Sequence, residues 1–159
     1  MKSLRWTGVV AVSFLLIGAT AWRASSHCQI PCGIYDDAAR LSAIAEHTRT
    51  VEKSIVKITE LSSAAKPDYN QLVRWVASKD THADKIAHIV TYYFMTQRVK
   101  PADPNDARAH GQYVKKITLL HRMLVAAMKA KQTTDLRYTK ELTRLLGEFT
   151  NVYGAKVRS

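Results

Sequence analysis

Both cysteines of this 159-residue chain sit in one short run, His27-Cys28-Gln29-Ile30-Pro31-Cys32-Gly33-Ile34-Tyr35. If the chain is cut after Ser26, His27 becomes its first residue. One metal ion then meets, within six residues, a free α-amine, the His27 imidazole, the backbone nitrogen of Cys28 and two thiolates. Pro31 has no amide hydrogen and Gly33 tolerates positive φ, so the run can curl until both sulfurs face one point. Deprotonating a backbone amide costs a great deal, and only strong square-planar bonding offsets it. Nickel(II) and copper(II) bond that way, whereas zinc prefers a tetrahedron and gains less. The donors therefore select nickel or copper.

The residues ahead of this run supply a way to free the amine. Lys2 and Arg5 make a positive start, Gly8 to Trp22 is uncharged and mostly apolar, and Ala24-Ser25-Ser26 places small residues before the cut. Residues 1–26 thus read as a signal peptide, and the protein as exported, periplasmic or extracellular. The apolar run is shorter than the roughly 20 residues that span a bilayer comfortably. Trp6 and Trp22 at its two ends, with Arg23 behind, also suit an uncleaved membrane anchor. Ala19-Thr20-Ala21 offers a second cut, which leaves a short tail to be trimmed before His27 is free.

Positioning falls to the remainder of the chain, which is long enough for one domain and too short for two. Leu41, Ile44, Thr48, Val51, Ile55 and Ile58 recur at three and four residues, the seam of an amphipathic helix from Ala38 to Ala64 with Asp36 or Asp37 as its cap. After Lys66-Pro67-Asp68 a second helix carries Leu72, Val76, Ile86, Val90 and Phe94 and ends before the Pro101 to Pro104 stretch. A third, capped by Asn105 or Asp106, carries Val114, Ile117, Leu120, Leu124 and Met128. The fourth, capped by Thr134 or Asp135, carries Leu136, Leu142, Leu145, Phe149 and Val152. No strand-like alternation interrupts them. The expected fold is an all-α, up-and-down four-helix bundle over residues 37–159, preceded by an irregular N-terminal metal-binding hook over 27–36.

Charge narrows the partners. Lys2, Arg5 and Arg23 are the only basic residues of 24 that precede His27, and all 13 Asp and Glu follow it, so 21 positive charges face 13 negative ones and leave +8. The basic residues are scattered along amphipathic faces with no basic block interleaved with aromatics, which argues against nucleic acid. A small anionic substrate drawn in by the summed field fits better.

The pattern His27-Cys28-x-x-Pro31-Cys32-Gly33-x-Tyr35-Asp36 resembles the mature N-terminus of the nickel-containing superoxide dismutases, a family of small four-helix bundles that assemble as homohexamers. The resemblance implies an enzyme that turns superoxide into dioxygen and hydrogen peroxide at one Ni(II)/Ni(III) centre per subunit, freed by a processing peptidase. It implies His27, Cys28 and Cys32 as metal ligands and Tyr35 as the catalytic tyrosine beside the metal. Arg74, in Arg74-Trp75-Val76-Ala77-Ser78-Lys79, resembles the family's arginine that steadies the axial histidine, and Thr91-Tyr92-Tyr93-Phe94 resembles its Thr-Asp-Tyr-Phe stretch. Three positions depart from the family: Gln29 stands for a frequent acid, Asp37 for a frequent proline, and no glutamate sits clearly where some members hold the axial imidazole.

Plainer readings compete. Cys28 and Cys32 in an exported chain also suit a disulfide clasp on an interaction protein. Uncut, the same residues suit a membrane-tethered metal-binding protein without dismutase activity. His47, His82, His88, His110 and His121 share no ligand spacing on one helix face and read as surface or core-edge residues.

Overall fold

Aspartates set where the helices begin. Asp36 Oδ1 accepts the Ala38 N–H at 2.8 Å, Asp68 Oδ1 that of Gln71 at 3.1 Å, Asp106 Oδ1 that of Ala109 at 2.9 Å, and Asp135 Oδ1 that of Arg137 at 2.9 Å. Each satisfies a helix-start donor that has no partner within its own helix. The computed structural model describes residues 36–154; the leader and most of the hook, residues 1–35, lie outside them. The helices are α1 (Asp37–Ser62), α2 (Tyr69–His88), α3 (Ala107–Gln132) and α4 (Arg137–Tyr153). Among the described residues there is no strand, and no helix is long and apolar enough to cross a membrane.

Each helix packs on the next, and α4 closes back on α1, the up-and-down four-helix bundle expected. The α1 seam is buried at all six expected positions, with Ser54 added. The α3 seam differs. Val114 and Met128 are exposed, and the inward face is Leu119, Leu120, Met123, Ala126, Ala127 and Ala130. The four-residue steps from Leu120 through Leu124 to Met128 rotate a seam by about 80° around an α-helix, out of the core, whereas mixed three- and four-residue steps hold the face. Val76 on α2 is likewise exposed.

The second helix does not end as a simple α-helix. Ile89–Arg98 continues α2 in π-helical register, closed by Val99 N–H to Phe94 O at 2.8 Å. The wider turn returns four-residue steps to the face, so Ile86, Val90 and Phe94 all stay buried. At the end where α1 begins, the core is aromatic: Phe94 meets Phe149 edge-on at 5.1 Å and Tyr153 at 5.6 Å, and Phe149 stacks on Tyr153 at 5.2 Å. At the other end a smaller cluster of Val51, Ile55, Ala83 and Ala130 closes the bundle. There the buried Lys79 donates to the carbonyls of Ala130 and Lys131, capping the end of α3.

Candidate metal centre

His27, Cys28, Cys32 and Tyr35 lie outside the described residues, so the site is built here from where the chain leaves them. Asp36 caps α1. Its neighbour Asp37, free of capping duty, turns its carboxylate into the aromatic end of the bundle. Oδ1 accepts from Tyr93 Oη at 2.5 Å and from Arg98 Nε at 2.7 Å, and Oδ2 accepts from Tyr153 Oη at 2.9 Å. Three donors from two other elements thus hold one residue of α1.

The π register explains two of them. In an α-helix, residues five apart stand about 140° from one another around the axis. With i→i+5 bonding they share a face, so Tyr93 and Arg98 both reach Asp37. The Arg98 guanidinium lies 5.5 Å from the centre of the Tyr93 ring and that of Arg40 lies 5.8 Å from it, two cations on one electron-rich ring. Tyr153 arrives from the last turn of α4, just before Gly154 ends that helix at φ 82°.

Burial alone would push the Asp37 carboxyl up, but the hydrogen bonds of Arg98, Tyr93 and Tyr153, with the Arg98 charge, hold it below the usual carboxylate range. Burial and the Asp37 hydrogen bond push both the Tyr93 and Tyr153 phenols up. The signs fix a pH profile. The Asp37 contribution to stability is present above the ordinary carboxylate value and is lost as pH falls through the lowered folded one. The tyrosines contribute fully below a pH of about 10 and lose that contribution as pH rises through their raised values. Asp37→Asn is expected to cost about 2 kcal/mol at neutral pH, allowing for partial exposure. Urea unfolding between pH 3 and 11 checks this: the variant should lose part of the acid-side slope of the parent, and an unchanged slope would show that the clamp stores no charge-dependent stability.

The remaining candidates are spread out. Arg74 is exposed on α2 and makes no hydrogen bond or ion pair among the described residues. Trp75 is half-buried beside it. Tyr92 is exposed and stacks on His88 at 4.6 Å, whereas Tyr93 and Phe94 point inward. Among the described residues no group of three or more His, Cys, Asp or Glu could hold a metal ion. Sequence reasoning did not single out Arg98, Tyr153 or the partnership of Asp37. The one available signal was Asp37 itself, an acid where proline would have sufficed to start a helix.

The model of the family described as nickel-containing superoxide dismutase matches residues 22–156, which take in the His27 to Tyr35 run and all four helices. The chain belongs to that family. No curated protein and no solved structure matches it. Membership in the nickel-containing superoxide dismutases makes the chain an oxidoreductase acting on superoxide, with nickel as the cofactor of each subunit. The residue types in the His27 to Tyr35 run fit that metal. Cysteine sulfur and imidazole nitrogen are the soft and borderline groups that nickel prefers and that magnesium or calcium reject. Within this nickel dismutase, the Asp37 clamp lies immediately behind the donors in sequence and ties the start of α1 to the ends of the π segment and α4.

Proposed function

We propose that dismutation takes place at a centre made by the chain's own mature N-terminus, with His27, Cys28 and Cys32 as nickel donors and Tyr35 beside the open face. The observation that carries this reading is that the whole His27 to Tyr35 run falls inside the family match. Bound nickel supplies a one-electron Ni(II)/Ni(III) couple through which one superoxide leaves as dioxygen and a second, with two protons, as hydrogen peroxide. The residues do the rest. The thiolates of Cys28 and Cys32 and the deprotonated Cys28 nitrogen donate enough charge to bring that couple into the range of superoxide. The His27 amine and imidazole would add nitrogen donors to the set, and Arg74, by resemblance, would steady that ring. The Tyr35 hydroxyl orders water on the approach and hydrogen-bonds the incoming anion. The net positive field gathers it.

Removal of residues 1–26 by a processing peptidase frees the amine and releases the chain outside the cytoplasm. Exposed apolar side chains support assembly as a homo-oligomer, a hexamer by resemblance: Tyr69, Val73 and Val76 on α2, Val125 and Met128 on α3. Intact mass, N-terminal sequencing and nickel content of the native protein test the reading together. A chain that starts at His27 with one nickel per subunit is expected; one that starts at Met1 and holds no nickel overturns it.

A further inference from the structure

The bundle brings together two histidines that sequence spacing keeps apart. His47 on α1 and His82 on α2 face each other across the contact of these helices, with their Nδ1 atoms 3.1 Å apart and their rings crossed at 73°. Both are partly buried, and they lie about 15 Å along α1 from Asp37, ten residues at the helical rise. The nickel reading uses neither.

We propose that His47 and His82 form a second metal site, a two-imidazole seat for a divalent transition ion such as nickel(II), copper(II) or zinc(II). The separation carries the argument. With metal–imidazole bonds of about 2.05 Å, nitrogens 3.1 Å apart subtend about 98° at the metal, between the right angle of square-planar or octahedral ligands and the tetrahedral angle. Two ligands from packed helices are therefore already at the bite that one ion requires. Solvent completes its sphere, since both rings are partly exposed.

The surrounding charges keep the donors available. Burial first, then His82 and Lys85, hold the His47 ring below its ordinary value against the pull of Glu46; burial and Lys85 do the same for His82. Neutral imidazole is the form that binds metal. In the metal-free pair, one Nδ1–H donates to the other Nδ1. For the ion to take both lone pairs, that single proton moves to Nε2 of its own ring, so no net proton is released. Without thiolate or amidate donors a nickel ion held here would stay Ni(II), so with nickel the site binds metal without cycling it.

The test uses the full chain with Cys28→Ser and Cys32→Ser, which removes the thiolates of the first centre and leaves this pair intact. Nickel(II) chloride titrated by calorimetry is expected to fill one site per chain. Adding His47→Gln or His82→Gln, each partly exposed and close to isosteric, should weaken that site at least about tenfold, while circular dichroism shows the helices unchanged. Copper(II) electron paramagnetic resonance should show two imidazole nitrogens that fall to one in either variant. Nickel binding that neither substitution alters, or no binding at all, overturns the proposal. The same substitutions in the parent chain leave dismutase activity at its parental level, so failure here is distinct from failure of the N-terminal centre.

Discussion

Serine at position 28 or 32 is expected to abolish nickel binding at the N-terminal centre, and with it dismutase activity, while the bundle stays folded and the His47–His82 pair is untouched. A serine hydroxyl remains protonated at neutral pH and offers a hard, neutral oxygen where the donor set needs a soft anion. On the proposed ligand set, loss of one thiolate would weaken the bonding that offsets deprotonation of the Cys28 nitrogen, so the donors would fail as a unit. Loss is therefore complete in each single variant and is no greater in the double one. The helices, by contrast, rest on a core that among the described residues runs from Leu41 to Phe149. Metal analysis, superoxide assay and thermal melting measured on the same samples separate the two effects. Activity that survives in either variant removes that sulfur from the ligand set.

Truncating Phe94 should have the largest effect on stability. Its side chain is fully buried and forms the floor of the clamp: Tyr93 meets it edge-on at 5.1 Å, and Phe149 and Tyr153 pack against the same ring. Phe94→Ala removes the buried ring and leaves a cavity among residues held by two other helices, so the expected cost is about 3–5 kcal/mol. For a domain of this size the melting temperature should fall by about 10–20 °C. Phe94→Leu keeps most of the volume and should cost less than half as much. Because Tyr93 and Tyr153 both lean on this ring and both hold Asp37, the alanine variant should also lose activity at temperatures where it remains folded. A cost below about 1 kcal/mol would mean that the aromatic end repacks freely, and that the clamp does not depend on it.

Much of the fold is legible in the order of the residues. The α1 seam reads directly because its apolar residues alternate three and four apart with no interruption, and aspartates announce each helix start. The family resemblance is legible because the residues that carry it are local, all within the run from His27 to Asp36. What stays hidden is what depends on distant partners. Tyr93 and Tyr153 reach Asp37 across 56 and 116 residues, and His82 meets His47 across 35. The π segment is hidden too, since the pattern Ile86, Val90, Phe94 looks like an α-helical face whichever hydrogen-bond register closes the turn. On α3 the apolar residues run all round the helix, and alanines fill the inward face where the periodicity leads one to expect larger side chains.

The bond between Tyr153 and Asp37 stitches the last turn of the bundle to its first. Bulk packed against the last turn of α4 would therefore press on the clamp that holds the start of α1. The turns after Ser62 and Gln132 sit at the opposite pole. Those are the places where inserted sequence, or new termini made by circular permutation, would leave the Asp37 clamp undisturbed.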